Sequence, residues 1–254
     1  MNTVAFFGGS VPAGVGYTEE KKSACIYPRL IEDQGFKIYN QSKSGSSNYE
    51  IFLRCCNFVA DTNVDLIVIE WNTFNRFWFY PKFDYEVYIS ASALSISEKL
   101  QSKLDISFSE LKKLQKCLLL LSNDYKSILD LLDYCIILQD YVKSKNINLV
   151  MINGNTPWTD KTFQNPHLVH DIYLETDEFT KNVLDSDDLD DTEVIYWWEK
   201  IYAKYKKINL ENWVCFSEQL LSLRIDYAPL DMHPGPKSHK IFADKIMKHI
   251  REKL

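Results

Sequence analysis

The chain predicts a parallel α/β fold, and three observations carry that prediction. Short apolar runs recur at Val4–Phe7, Phe36–Tyr39, Asp65–Ile69 and Asn148–Ile152. Stretches with helical spacing separate the first three of these runs. The run Leu66-Ile67-Val68-Ile69 contains no polar residue, as a strand covered on both faces requires. Strand, helix, strand, helix, strand at short intervals is the pattern of a parallel sheet with crossover helices.

Each element has its own signal. Val4-Ala5-Phe6-Phe7 ends abruptly at Gly8-Gly9, as a buried strand running into a turn does. Residues 20–34 predict a helix with Ile26, Leu30 and Ile31 on one face. Asn48 to Ala60 predicts another, with Ile51, Phe52, Cys55 and Val59 at helical spacing. The alternation then pauses. Ser107 followed three residues later by Glu110 is a capping-box pattern. After it, Leu111, Leu114, Leu118, Leu121, Tyr125, Ile128 and Leu132 mark a long amphipathic helix or helical hairpin. The strand Asn148–Ile152 leads into the loop Asn153–Pro157, and residues 160–190 are polar and irregular. Thr192 to Lys207 predicts a helix with lysines at its end, the order a helix dipole favours. Trp213–Phe216 predicts a fifth, short strand, and Ser238 to Lys253 a closing helix. The expected organisation is one domain over residues 1–254. It carries a helical insertion at about 77–145, with no Pro/Gly/Ser-rich linker bounding it, and an irregular or helical insertion at about 160–210.

Bulk properties bound the function. The chain has 254 residues, of which 46% are hydrophobic, enough for a sizeable core. A net charge of -6 argues against a nucleic-acid backbone or an anionic membrane as partner. No apolar run approaches the roughly 18 residues of a membrane span, and no signal-peptide pattern opens the chain, so a cytoplasmic protein is expected. The six cysteines (Cys25, Cys55, Cys56, Cys117, Cys135 and Cys215) form no CxxC pair and read as buried reduced thiols. Asp185 to Asp191 lacks the central Gly and closing Glu of a calcium loop. His167, His170 and Asp171 read as a polar surface loop rather than a metal site. No cofactor or metal is called for. Oligomeric state has no sequence signal.

Four loops carry the chemistry. The chain has only 8 glycines, and half of them (Gly8, Gly9, Gly14 and Gly16) cluster around Ser10, just after the first strand. That places Ser10 at the carboxyl edge of the sheet, where open α/β sheets bind ligands. The segment is neither a Walker loop nor a GxGxxG fingerprint. At the other end, PLDMHPGPKSH sets Asp231 and His233 in a Pro- and Gly-bounded loop. A serine becomes a nucleophile when a base takes its proton and a carboxylate orients that base. Asp226 is a second carboxylate upstream, but it lies seven residues from the histidine, beyond Pro229. Asp231 is two residues away, and Pro234 restricts His233 toward an extended backbone that turns both side chains to one side. NQSKSGSSNYEI after the second strand offers the backbone N–H of Gly45, and IEWNTFNR after the third offers the Asn72 amide. Both suit an oxyanion.

Taken in order, these blocks resemble the SGNH (GDSL-type) hydrolase family, from residue 4 to about 250 but poorly over 77–145 and 160–210. The resemblance implies a flavodoxin-like three-layer α/β/α sandwich, no metal, and hydrolysis of lipid, small-acid or acetylated-sugar esters. By it Ser10 is the nucleophile, His233 the general base and Asp231 its orienting acid. The backbone N–H groups of Ser10 and Gly45 and the Asn72 amide form the oxyanion hole. Trp71 and Arg76 are expected to touch substrate, a small-molecule or glycan ester. Three departures stand out. The Gly-Asp-Ser block is Gly8-Gly9-Ser10, without the Asp. The Gly-x-Asn-Asp block is Glu70-Trp71-Asn72-Thr73. The Asp–His interval is two residues rather than three, an interval also found in SGNH-like sugar acetyltransferases. An acyltransferase using the same residues therefore stands as an alternative. So does a non-catalytic carbohydrate-binding module using Glu70, Trp71 and the aromatic stretch Phe74 to Tyr80.

Overall fold

The computed structural model describes residues 1–72, 76–82, 85–90, 107, 109, 110, 113, 124–154, 191–214, 216 and 219–254. Four strands form a parallel sheet: β1 (Thr3–Phe7), β2 (Lys37–Asn40), β3 (Leu66–Trp71) and, after the hairpin described below, β6 (Asn148–Asn153). Their order across the sheet is β2-β1-β3-β6, with Val4 beside both Ile38 and Leu66, and Ile67 beside Leu149. The chain leaves β1 toward one edge, to β2, and returns on the other side as β3. Open α/β sheets bind ligands at such a reversal, beyond the carboxyl ends of β1 and β3 here.

Alternation along each strand divides the core into two layers. Ala5, Phe7, Ile67, Ile69, Trp71, Leu149 and Met151 face α3 (Asn48–Asp61) and α4 (Asp124–Ser144), with Ile201 of α5 (Asp191–Tyr205) in the same cluster. Val4, Phe6, Leu66, Val68, Val150 and Ile152 face α2 (Tyr27–Glu32) and α6 (Pro236–Lys253). Helices thus cover both faces of a parallel sheet, the three-layer arrangement expected. Among the described residues, no helix is long and apolar enough to cross a membrane.

Several elements differ from their sequence-based outlines. The helix expected over 20–34 is two: α1 (Glu19–Cys25), capped by the Thr18 hydroxyl, and α2, separated by an extended Ile26. Pro28 explains the break, because it lacks an N–H and crowds the preceding turn, so it starts a helix rather than continuing one. The insertion expected to be helical from about 77 opens as an antiparallel hairpin, β4 (Arg76–Lys82) with β5 (Tyr85–Ser90). Its aromatic and β-branched residues favour a pleated ladder. The fifth strand contracts to a single parallel bridge between Met151 and Trp213, with Val214 N–H donating to the Met151 carbonyl at 2.9 Å. The capping box forms: Glu110 N–H donates to Ser107 Oγ at 3.2 Å, and Ser107 N–H to Glu110 Oε2 at 2.7 Å.

Cys55 and Cys135 are buried free thiols whose pKa values burial raises well above the ordinary range. Cys56 and Cys25 are half-buried and also free. Cys117, Cys215, His167, His170, Asp171 and Asp185 lie outside the described residues, as does most of the insertion at 160–210.

Candidate active site

The first loop starts where β1 ends. Ser10 is half-buried in a turn closed by Val15 N–H to the Ser10 carbonyl and Gly14 N–H to the Val11 carbonyl, each 3.0 Å. Gly9 is small for a reason of space: a Cβ there would lie 2.5 Å from Asn72 Nδ2 and 2.6 Å from its Oδ1. The Asn72 amide therefore sits directly against the residue preceding Ser10. Gly16 has φ +89°, and a Cβ on it would overlap the Asp231 carboxylate, so both backbone conformation and space favour glycine there.

The second loop brings Gly45 and the third brings Asn72, and they interlock. Ser47 caps α3 by accepting from Glu50 N–H at 3.2 Å, and Asn48 is buried just inside the helix. Asn48 and Asn72 bond reciprocally. Asn72 N–H donates to Asn48 Oδ1 at 2.8 Å, and Asn48 Nδ2 donates to the Asn72 carbonyl at 3.0 Å. Asn72 Nδ2 also donates to the Ser46 carbonyl at 2.8 Å, next to Gly45, which has φ +80°. Lys43 N–H donates to the Gly8 carbonyl at 3.1 Å, tying the second loop to the first. Arg54 clamps this loop from α3. Its Nη2 donates to Ser46 Oγ at 2.8 Å, while Nη1 lies 3.6 Å from Glu50 Oε1, which Lys43 Nζ approaches at 3.5 Å. Asn48 and Arg54 were absent from the sequence-based site. The Glu50–Arg54 spacing of four on one helix was the available signal.

The fourth loop holds the histidine. Asp231 Oδ1 lies 2.8 Å from His233 Nδ1 and accepts from the His233 backbone N–H at 2.8 Å. A carboxylate at Nδ1 keeps a proton there and leaves Nε2 as the basic nitrogen. The loop is fixed by Ala228 N–H to the His233 carbonyl at 2.7 Å, Arg224 Nη1 to the Met232 carbonyl at 3.1 Å, and a bridge between Tyr227 and Pro234. Asp226 does something else. It accepts from the backbone N–H groups of Lys237 and Ser238 at 2.9 and 2.8 Å, and from the Ser238 hydroxyl. Burial pulls the Asp226 carboxyl pKa up, but these bonds outweigh it and hold the group below its ordinary value. Asp226 thus caps α6.

The first and fourth loops are joined. Leu230 N–H donates to the Gly16 carbonyl at 3.2 Å, and Tyr17 Oη donates to the Pro234 carbonyl at 2.9 Å. Burial, with Cys25, Asp226 and Asp231 nearby, pushes the Tyr17 phenol pKa up, so it stays a donor. Beneath the junction lies His239, 1% exposed, whose Nδ1 accepts from Tyr27 N–H at 3.2 Å. Ser10, Gly45, Asn72, Asp231 and His233 therefore stand on four loops linked in series by hydrogen bonds at one sheet edge. No hydrogen bond to Ser10 Oγ occurs among the described residues. Catalytic contacts often tighten only in the substrate complex.

Two expected substrate contacts fare differently. Trp71 is corrected: it is 0% exposed and packs in the core facing α3 and α4. The alternation Ile67, Ile69, Trp71 turns its ring inward. Arg76 belongs to the backbone of β4, and its side chain lies outside the description, as do Phe74 and the side chains up to Tyr80. Among the described residues no group of His, Cys, Asp and Glu is arranged to hold a metal ion.

The site thus defines a parallel α/β protein with a serine turn, a carboxylate–histidine pair and an asparagine amide at the sheet's carboxyl edge. No protein-family profile and no curated protein matches the chain. Solved structures similar to it along its whole length include lipases and esterases. TesA is 11% identical with a TM-score of 0.46, covering 100% of both chains. An acetyl xylan esterase, AlAXEase, is 11% identical with a TM-score of 0.45, covering 98% of this chain and 99% of its own. The lipase/acylhydrolase from Enterococcus faecalis is 13% identical with a TM-score of 0.45, covering 100% and 97%.

Proposed function

We propose that the chain is a serine esterase that cleaves a small acyl ester, such as an acetyl group on a carbohydrate. Ser10 Oγ attacks the ester carbonyl while His233 Nε2 takes its proton. Asp231 stabilises the imidazolium through Nδ1. The developing oxyanion is met by the N–H groups of Ser10 and Gly45 and the Asn72 amide. His233 returns the proton to the leaving alcohol, and water then hydrolyses the acyl-Ser10 ester by the same steps in reverse. The observation that carries this reading is the 2.8 Å Asp231–His233 pair on a loop hydrogen-bonded to the Ser10 turn. The acetyl and carbohydrate parts rest on the family resemblance.

A fluorophosphonate probe tests the reading. It should label Ser10, and Ser10→Ala should lose both the label and nearly all hydrolysis of a short aryl ester while remaining folded. Native protein that is not labelled at Ser10, or an alanine variant with wild-type turnover, refutes the mechanism. Added alcohol acceptors separate hydrolysis from acyl transfer: a transferase yields mainly the acylated alcohol.

A further inference from the structure

We infer that Glu70 is a positioning residue for the Ser10 turn, acting as a buried strut between the ends of β1 and β6. Its kinetic consequence rests on the serine-esterase reading. Glu70 is 2% exposed, near the end of β3 on the side facing α2 and α6. An acid this deep costs several kcal/mol unless it is hydrogen-bonded. The Tyr27 hydroxyl donates to its Oε2 at 2.8 Å. Burial and the neighbouring Glu70 carboxylate raise the Tyr27 phenol pKa well above its ordinary value, so Tyr27 remains the donor. Tyr27 is 1% exposed and bonds through its own N–H to His239 of α6. Glu70 is thereby tied to the first turns of two helices.

The glycines around it show what the side chain supports. A Cβ on Gly8 would lie 3.1 Å from Glu70 Cβ, and one on Gly154 only 2.7 Å from Glu70 Cγ. Those two residues directly follow the strands flanking β3, so the glutamate side chain stands in space that both neighbours leave empty. Gly8 is two residues before Ser10. The resembled pattern has glycine at position 70, where no such strut exists. Removing the strut opens a void under Gly8-Gly9. A displacement of about 1 Å at a reacting group costs on the order of 10² in rate.

The test compares Glu70→Gly, Glu70→Gln and Tyr27→Phe with wild type by two readouts. The first is hydrogen exchange of the Gly14 and Val15 amides, whose bonds close the Ser10 turn, against amides of the central strands. The second is kcat and KM for a short aryl ester. In Glu70→Gly the turn amides should exchange roughly 10-fold faster while the strand amides hold. There kcat should fall roughly 10- to 100-fold with KM nearly constant. Glu70→Gln keeps the shape and should recover most of both, and Tyr27→Phe should fall between. If Glu70→Gly does not fold, Tyr27→Phe carries the comparison. Wild-type exchange at Gly14 and Val15 in the folded variants overturns the inference, as does a loss that raises KM alone. A wild-type protein that neither hydrolyses esters nor reacts with the probe defeats the esterase reading, and the exchange measurement still decides the role of Glu70.

Discussion

Acidification should destabilise this protein through His239 well before its carboxylates protonate. His239 is 1% exposed, with the Tyr17, Tyr27 and Phe242 rings 5.7, 5.9 and 5.8 Å away. Its Nδ1 is an acceptor, filled by Tyr27 N–H. Burial disfavours the charged ring, and neighbouring His233 adds to this. Asp226 opposes both, and the pKa falls from 6.5 to about 4. The unfolded chain therefore binds a proton at this site below pH 6.5, whereas the folded chain resists until about pH 4. The stabilisation is present above pH 6.5 and disappears as pH falls through that window. A shift of this size corresponds to about 3 kcal/mol in full, of which about 2 kcal/mol is lost between pH 7 and pH 5.

Urea unfolding at pH 7 and pH 5 measures it. Asp226 and Asp65, both held below the ordinary carboxylate value, lose their contributions only at lower pH and leave the comparison clean. His239→Asn supplies an acceptor in place of Nδ1 and cannot charge. It should be less stable than wild type at pH 7 from lost packing, yet its pH 7-to-5 loss should be smaller by about 2 kcal/mol. Equal losses in the two proteins would refute the burial argument.

The remaining expectations concern the site. Asn72→Ala should lower kcat by about 10²–10³ with little change in KM, and steady-state kinetics on an aryl ester shows which parameter moves. It should also loosen the second loop, because it deletes the bond to the Ser46 carbonyl. Asp231→Asn should cost up to ~10⁴ in kcat by favouring the wrong imidazole tautomer. Asp226→Asn should be nearly silent in kinetics but lower stability by about 1 kcal/mol, because an amide offers one acceptor oxygen where the carboxylate uses both. The reverse kinetic ranking would reassign the orienting acid. Gly9→Asp, which restores the Gly-Asp-Ser pattern, should reduce the rate of fluorophosphonate labelling by roughly the cost of losing Asn72. Its Cβ would enter the space held by the Asn72 amide.

The sheet was legible because β1, β3 and β6 are each built on a continuous apolar run, a local signal, and β2 follows the helical stretch after β1 at the expected interval. The loops were legible because serine, glycine, asparagine and histidine each fall where a strand ends or a helix begins. What was not legible depends on contacts distant in sequence. The Tyr27–Glu70 bond spans 43 residues and the Tyr27–His239 bond 212, and neither residue type announces a partner. Trp71 was misread because an aromatic ring beside a chemical motif suggests a ligand contact. The two-residue alternation from Ile67 already pointed it into the core. The hairpin β4–β5 was read as part of a helical insertion although RFWFY and YEVYIS are rich in strand formers.

Two departures from the resembled pattern each have a local reason of space. Position 9 lacks the aspartate and has no side chain, and the Asn72 amide lies where a side chain would begin. Position 70 holds a glutamate, and Gly8 and Gly154 beside it carry no side chain. The glutamate fills space beside Gly8 and Gly154, whereas the space beside Gly9 is taken by the Asn72 amide. Each departure read singly looks like damage to the pattern. The glutamate fits because β1 and β3 pair in register from Val4–Leu66 to Phe7–Ile69 and bring Gly8 beside Glu70. Close packing makes such positions interdependent. An aspartate at position 9 therefore creates an overlap at Asn72, and a glycine at position 70 a void beneath Gly8.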